Sequence, residues 1–402
     1  MSRTALLLAA AGLLAGGTAL APAQAADRVL RVDSTAGGVD RDPGDGACRT
    51  SAGLCTLRAA VQEANATRGG HTVLLPAGRF VLTGTAFPNR GALEENDAGN
   101  GDLDLSDEVT VRGAGARRTV VDAAGTDRVF SNYHLNTATL TDLTIRGGRV
   151  DGTASGGGVW NLGYLVLERV HVLDNEGAYG GGIFNIPRTH MVLRDSLVSG
   201  NRSGEGGGIR VDSGAEIIGS TISGNSVLPA DQVRRPMEFS GYGGGVDHKG
   251  GADLTIVNST ITANRALKGG GGLNATFGYT PVEGQPERGR VRLLNTVIAG
   301  NSSAEGTQDC RRAAVVVQSV GSVLDGDGSC GTSGRTDLPG RRPLLGPLRD
   351  NGGPTDTHLP RRGSPLVDAG TGAGCPGRDL RGGARAGRCD IGAAERRPAD
   401  RG

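Results

Sequence analysis

The sequence is poor in the groups that usually announce a function. Aromatic residues make up 3 % of its 402 positions, with a single tryptophan, too few to specify a set of sugar subsites. Lysine occurs only at Lys249 and Lys268, so nearly all positive charge is arginine. A net charge of +1 leaves no global field to gather nucleic acid or membrane phosphates, and no nucleic-acid partner is expected. Beyond the first residues no apolar run is long enough to span a membrane. The six cysteines lack zinc-ligand spacing with histidines nearby, which excludes a zinc site of the usual kind.

What is present begins with an export signal. Arg3, the apolar stretch Ala5–Ala15 and the small-x-small run Ala23-Gln24-Ala25 predict a signal peptide over 1–25 and a mature chain from Ala26. An exported chain favours disulfides. The cysteines fall as three local couples, and the simplest pairing is Cys48–Cys55, Cys310–Cys330 and Cys375–Cys389, although six cysteines allow other connectivities.

Seventy-one glycines are not scattered but phrased. Runs open at Gly156, Gly180, Gly206, Gly243 and Gly269, each followed by an aliphatic residue: Val159, Ile183, Ile209, Val246 and Leu273. Strand-like stretches then close at Asn175, Asn201, Asn225, Asn264 and Asn301. The repeat is 24 residues from Gly156 to Gly180 and 26 from Gly180 to Gly206. Short alternating β-branched runs between Gly and Asn are strand and turn signals, and three such runs fit one turn of a parallel β-helix. The leucine-rich frame and the calcium-binding nonapeptide are both missing. Glycine suits tight corners, and asparagine at the closing corner is expected to take the left-handed conformation and stack as a ladder. Near the N-terminus Leu57, Ala60, Val61 and Ala64 lie at helical spacing, which predicts a short helix capping the open end of the solenoid.

Two segments carry resemblances. Cys55-Thr56-Leu57-Arg58-Ala59-Ala60-Val61, with Asp42, Asp45-Gly46 and Cys48 upstream and Gly101-Asp102-Leu103-Asp104 downstream, resembles the family named for its Cys-Ser-Leu-Arg-Glu-Ala (CSLREA) motif. Ala59 stands where the family has glutamate, so the capping box is halved and Thr56 is left as a lone N-cap. Leu345-Gly346-Pro347-Leu348, Asp350–Thr355, Asp368-Ala369-Gly370 and Cys389-Asp390-Ile391-Gly392 resemble the choice-of-anchor Q domain of exported proteins. The coils between are similar to the right-handed β-helix of pectin lyase-like proteins. These resemblances imply an all-β, right-handed parallel β-helix with a short N-terminal capping helix and a small disulfide-stapled C-terminal domain. The expected divisions are a cap and first irregular coils over 26–130, regular coils over 131–310, a C-terminal domain over 311–395 and a disordered tail over 396–402. Neither terminal family brings catalytic residues. With neither a sortase motif nor a hydrophobic tail, a freely secreted monomer is expected.

The period fails twice, stretching to 37 residues between Gly206 and Gly243 and again between Asn264 and Asn301. These insertions, at 227–242 and 276–289, fall on consecutive coils and should flank one region holding Arg210, Asp212, Asp247, His248, Lys249 and Asn274. If Ile209 and Val246 stack inward, Asp212 and Asp247 lie outward with a backbone separation of about 8 Å. Inverting glycosidases hold their carboxyls ~6.5–9.5 Å apart, so the two aspartates are candidates for an acid–base pair. His248 or Lys249 is the candidate base of a uronate-polymer lyase, with Arg210 neutralising the carboxylate. Trp160 and Phe184 occupy equivalent outward positions on adjacent coils, where they and Asn274 are candidates to contact a sugar. Asp40, Asp42 and Asp45 beside Gly46 are a candidate calcium site, and Asp325 with Asp327 a sparser one. The leading expectation is recognition of a polysaccharide or cell-surface glycan without turnover. A polysaccharide lyase or glycoside hydrolase acting between the insertions is the alternative, and a structural surface spacer a further one.

Overall fold

The computed structural model describes residues 27–82, 98–133, 135–150, 154–229, 232, 241–277, 289–305, 308–313, 315–375, 377–382 and 388–396. The expected signal peptide, most of both insertions and the tail from 397 lie outside the described residues. The chain is a right-handed parallel β-helix, and its strands pair in parallel from coil to coil except in one late hairpin.

Each regular coil carries four short strands, one more than the repeat predicts. One turn runs through Ile183–Asn185, His190–Arg194, Leu197–Ser199 and Arg202–Glu205 before Ile209–Val211 begins the next. The extra division comes from a single left-handed residue that bends what reads as one long run. Asp142, Arg169, Asp195, Asn258 and Asn295 hold this bend at φ between +47° and +58°. Asparagine and aspartate tolerate that conformation, while Arg169 is held there by its ion pairs.

Inside, Val159, Ile183, Ile209, Val246 and Leu273 stack in register with no exposure to solvent. Each such side chain stabilises by about 1.5–3 kcal/mol. At the second corner the asparagines form a ladder of carboxamides. Asn175 donates to Asn201, Asn201 to Asn225, Asn225 to Asn264 and Asn264 to Asn301, at 2.9–3.0 Å. The left-handed residue is not the asparagine, as expected, but the one before it: Asp174, Gly200, Gly224, Ala263 or Gly300. With that residue making the turn, the asparagine side chain points inward and satisfies the neighbouring backbone. A second, shorter ladder joins Asn132, Asn161 and Asn185 beneath the eight-stranded sheet. In the glycine runs, Gly206 takes φ +66°, and Gly207 lies so close to the next coil that a Cβ would sit 2.5 Å from the Gly244 carbonyl. Close stacking of coils therefore requires the run.

The helix Leu57–Ala66 forms as predicted, capped by the Thr56 hydroxyl, which accepts from the Ala59 amide at 3.1 Å. Arg58 is buried and donates to the carbonyls of Ala98 and Asp102, fixing that loop against the first coils. Strand pairing starts as early as Val29–Arg31, and at the other end Cys310–Ala313 and Val317–Asp325 extend the solenoid beyond residue 310. The remainder, including the antiparallel hairpin Leu345–Arg349 with Thr357–Pro360, runs back along the flank of the coils. Leu366 and Ile391 there pack on Val297, Ala299 and Leu324. All three disulfides form as paired. Among the described residues no helix is long and apolar enough to cross a membrane.

Candidate functional site

One column of outward side chains crosses the eight-stranded sheet, taken from the middle residue of each strand. In register it reads Asp104, Ser131, Trp160, Phe184, Arg210, Asp247, Asn274 and Arg311. Parallel pairing places equivalent residues one strand spacing apart, so a repeat with a variable middle residue builds such a column automatically. The outward stacking of Arg210, Asp247 and Asn274 is as the sequence predicts, and so is that of Trp160 and Phe184.

The centre of the column is a charged network withdrawn from solvent. Arg210 grips Asp212 with two hydrogen bonds, Nε to Oδ1 at 2.8 Å and Nη2 to Oδ2 at 3.2 Å. It also contacts Glu205 and stands 3.9 Å from Asp247. Lys249 Nζ lies 3.4 Å from Glu205 and 3.5 Å from Asp247. Asn274 donates to Asp247 Oδ1 at 2.6 Å and accepts from Arg311 at 3.2 Å. Asp247 has no solvent exposure, and burial pushes its carboxyl above the usual carboxylate range despite the two cations beside it. Asp212 is 3 % exposed.

Aromatic rings brace the cations from the side. The Arg210 guanidinium lies 4.4 Å from the Tyr179 ring centre and 5.5 Å from that of Phe184, and Arg311 lies 4.0 Å from that of Tyr242. At the other end Arg128, almost wholly buried, lies 4.8 Å from the Trp160 ring. Tyr179, Glu205 and Tyr242, which the sequence reading did not single out, share one position: the residue immediately before a glycine run. That shared offset was the signal available for finding them.

His248 does not belong to this face. It follows Val246 by two residues on one strand, so it points into the solenoid, between Val211 and Ala275. It is fully buried, neither ring nitrogen has a hydrogen-bond partner, and burial lowers its pKa to about 4. An external substrate cannot reach it, which removes it as a candidate base. Asp40, Asp42 and Asp45 also fail to converge. Asp42 pairs with Arg41, Asp45 accepts from the Ala47 amide, and the clustered oxygens of the described residues lie elsewhere, at Asp309, Asp325 and Asp327.

No protein-family model matches the chain, and no curated protein does. Among solved structures the chain is similar to the crystal structure of the pectate lyase Pel9A, at 15 % identity and a TM-score of 0.51. The match covers 93 % of this chain and 98 % of that one. At this identity the likeness is one of architecture: the protein has the parallel β-helix fold that a pectate lyase also has.

Proposed function

We propose that the protein is an exported polysaccharide-recognition β-helix that binds its ligand along the outward column of the eight-stranded sheet and does not cleave it. The observation that carries this reading is the state of Asp212 and Asp247. Both carboxyls are withdrawn into a network with Arg210 and Lys249, so neither is placed to exchange a proton with a chain lying on the surface. A hydrolase needs one accessible acid and one accessible base on either side of the bond. What the column offers a sugar instead is partly exposed aromatic surface at Trp160 and Phe184, flanked by arginine and amide donors. Three formed disulfides and the predicted signal peptide support export, and the fold shared with a pectate lyase supports an extended polysaccharide as the ligand class.

The test is a panel of plant, algal and microbial polysaccharides incubated with the mature protein, scoring both retention and depolymerisation. Retention without new chain ends is the expected result, weakened by Phe184→Ala. Unsaturated ends would establish a lyase and new reducing ends a hydrolase, and either would overturn the reading.

A further inference from the structure

The asparagine ladder does not end in asparagine. Its last carboxamide, Asn301, donates to a carboxylate: Asp309 Oδ1 accepts from the Asn301 backbone amide at 2.8 Å and from Nδ2 at 2.9 Å. Asp309 is 1 % exposed, and it is not the only acid there. Asp325 ends the strand Val317–Asp325 and Asp327 lies in the loop that follows it, and one carboxylate oxygen from each of the three aspartates lies within 4.8 Å of the others. Among the described residues no salt bridge reaches any of them.

A further observation points to something held between these acids. Asp325 has no solvent exposure, and while its Oδ1 accepts from the Gly328 amide at 3.0 Å, its Oδ2 is buried without any hydrogen-bond partner. A buried carboxylate oxygen with nothing to accept from costs about 1–3 kcal/mol or more, and a cation is the partner that removes that cost. Gly326 follows Asp325 directly, and a Cβ there would stand 2.5 Å from Asp309 Oδ2 and 2.7 Å from the Ala299 Cβ, so the chain passes this close to Asp309 only as glycine.

We propose that Asp309, Asp325 and Asp327 bind a calcium ion that closes the C-terminal end of the asparagine ladder. The donor set is all oxygen, which selects a hard cation. Oxygens bound to calcium at 2.3–2.6 Å can stand up to about 5 Å apart on opposite sides of the ion, the span observed here. Two buried ligands fix the site, and the exposed Asp327 leaves its outer side open to water, as calcium accepts. The bound ion would tie Asp309, just before the strand Cys310–Ala313, to the end of the strand Val317–Asp325 beside the Cys310–Cys330 disulfide.

The experiment is equilibrium dialysis of the chelator-treated mature protein against calcium chloride, paired with thermal unfolding. A single ion per chain and a higher unfolding temperature in calcium are expected. Asp325→Asn is expected to abolish both effects. Asp327→Asn, which keeps the side chain's size and an oxygen to accept from the Ser329 amide, is expected to weaken binding by about tenfold or more. Joint replacement of Asp42 and Asp45 by Asn leaves binding unchanged. Absence of calcium binding by the unmutated protein overturns the proposal, as does stoichiometric binding that survives Asp327→Asn unweakened or is lost with Asp42 and Asp45. Magnesium binding as tight as calcium overturns the choice of ion.

Discussion

Asn201→Ala tests whether the carboxamide ladder holds the coils together. Asn201 is fully buried, and its Oδ1 accepts from both the backbone amide and Nδ2 of Asn175, each at 3.0 Å. Its Nδ2 donates at 2.9 Å to the Val172 carbonyl and to Asn225. Alanine deletes these four bonds and a longer contact from Nδ2 to the Ser199 carbonyl at 3.2 Å. Asn175 Nδ2 retains the Ile145 carbonyl at 3.2 Å, but the Asn175 backbone amide is left buried without an acceptor. That orphan costs about 1–3 kcal/mol, and the two lost Nδ2 bonds add about 1 kcal/mol each, so the variant should lose roughly 3–5 kcal/mol. Equilibrium denaturation followed by circular dichroism and by Trp160 fluorescence measures the loss. Hydrogen exchange at the Asn175 amide locates it. A loss below about 1 kcal/mol, with unchanged protection at Asn175, would refute the ladder as a stabilising device.

Two more outcomes follow from buried charge. His248 has a pKa of about 4 in the fold against about 6.5 unfolded, so the unfolded chain takes up a proton between those values and the native one does not. Stability from this group is full above pH 6.5 and falls by about 3 kcal/mol as pH drops to 4, while Asp309, raised to about 6, opposes it in the same window. The stability of His248→Leu relative to the unmutated protein should therefore rise by about 3 kcal/mol between pH 7 and pH 4; a difference that stays constant with pH would place the proton uptake elsewhere. Arg210→Ala leaves Asp212, Glu205 and Asp247 short of their shared cation and should cost about 3–5 kcal/mol, read as a drop in the denaturation midpoint. A shift too small to measure there would mean that the network is solvated and that its acids are available to a substrate.

Much of the scaffold was legible because a solenoid writes its period into its sequence. The inward column at Val159, Ile183, Ile209, Val246 and Leu273, the pairing of Arg210 with Asp247, the Thr56-capped helix and the three disulfides all follow from spacing or local pairing. The fourth strand was hidden because its bend rests on one residue per coil, and a lone Asp or Asn inside a strand-like run, or Arg169 in its place, does not mark a corner. His248 was misplaced although parity was sufficient: two residues from Val246 on one strand is the same face, and the chemistry of imidazole outweighed the count. The acids of the proposed calcium site come from separate stretches, Asp309 just before one strand and Asp325 and Asp327 at the end of another, and meet only in the fold. No local pattern records that meeting.

The chain's last segment changes what kind of object the solenoid is. Stacked coils touch only their neighbours, and arrays of that sort fray from an end one unit at a time. Here the returning segment fastens to residues far apart along the axis: Arg117 grips Asp356, Asp195 is bonded by Thr355, Ser223 by His358, Asn258 by Gly374 and Asn295 by Thr371. It is a splint laid lengthwise over the stack. Loosening the terminal coil then strains anchors several coils away, so a string of nearest-neighbour units is converted into one body that opens together.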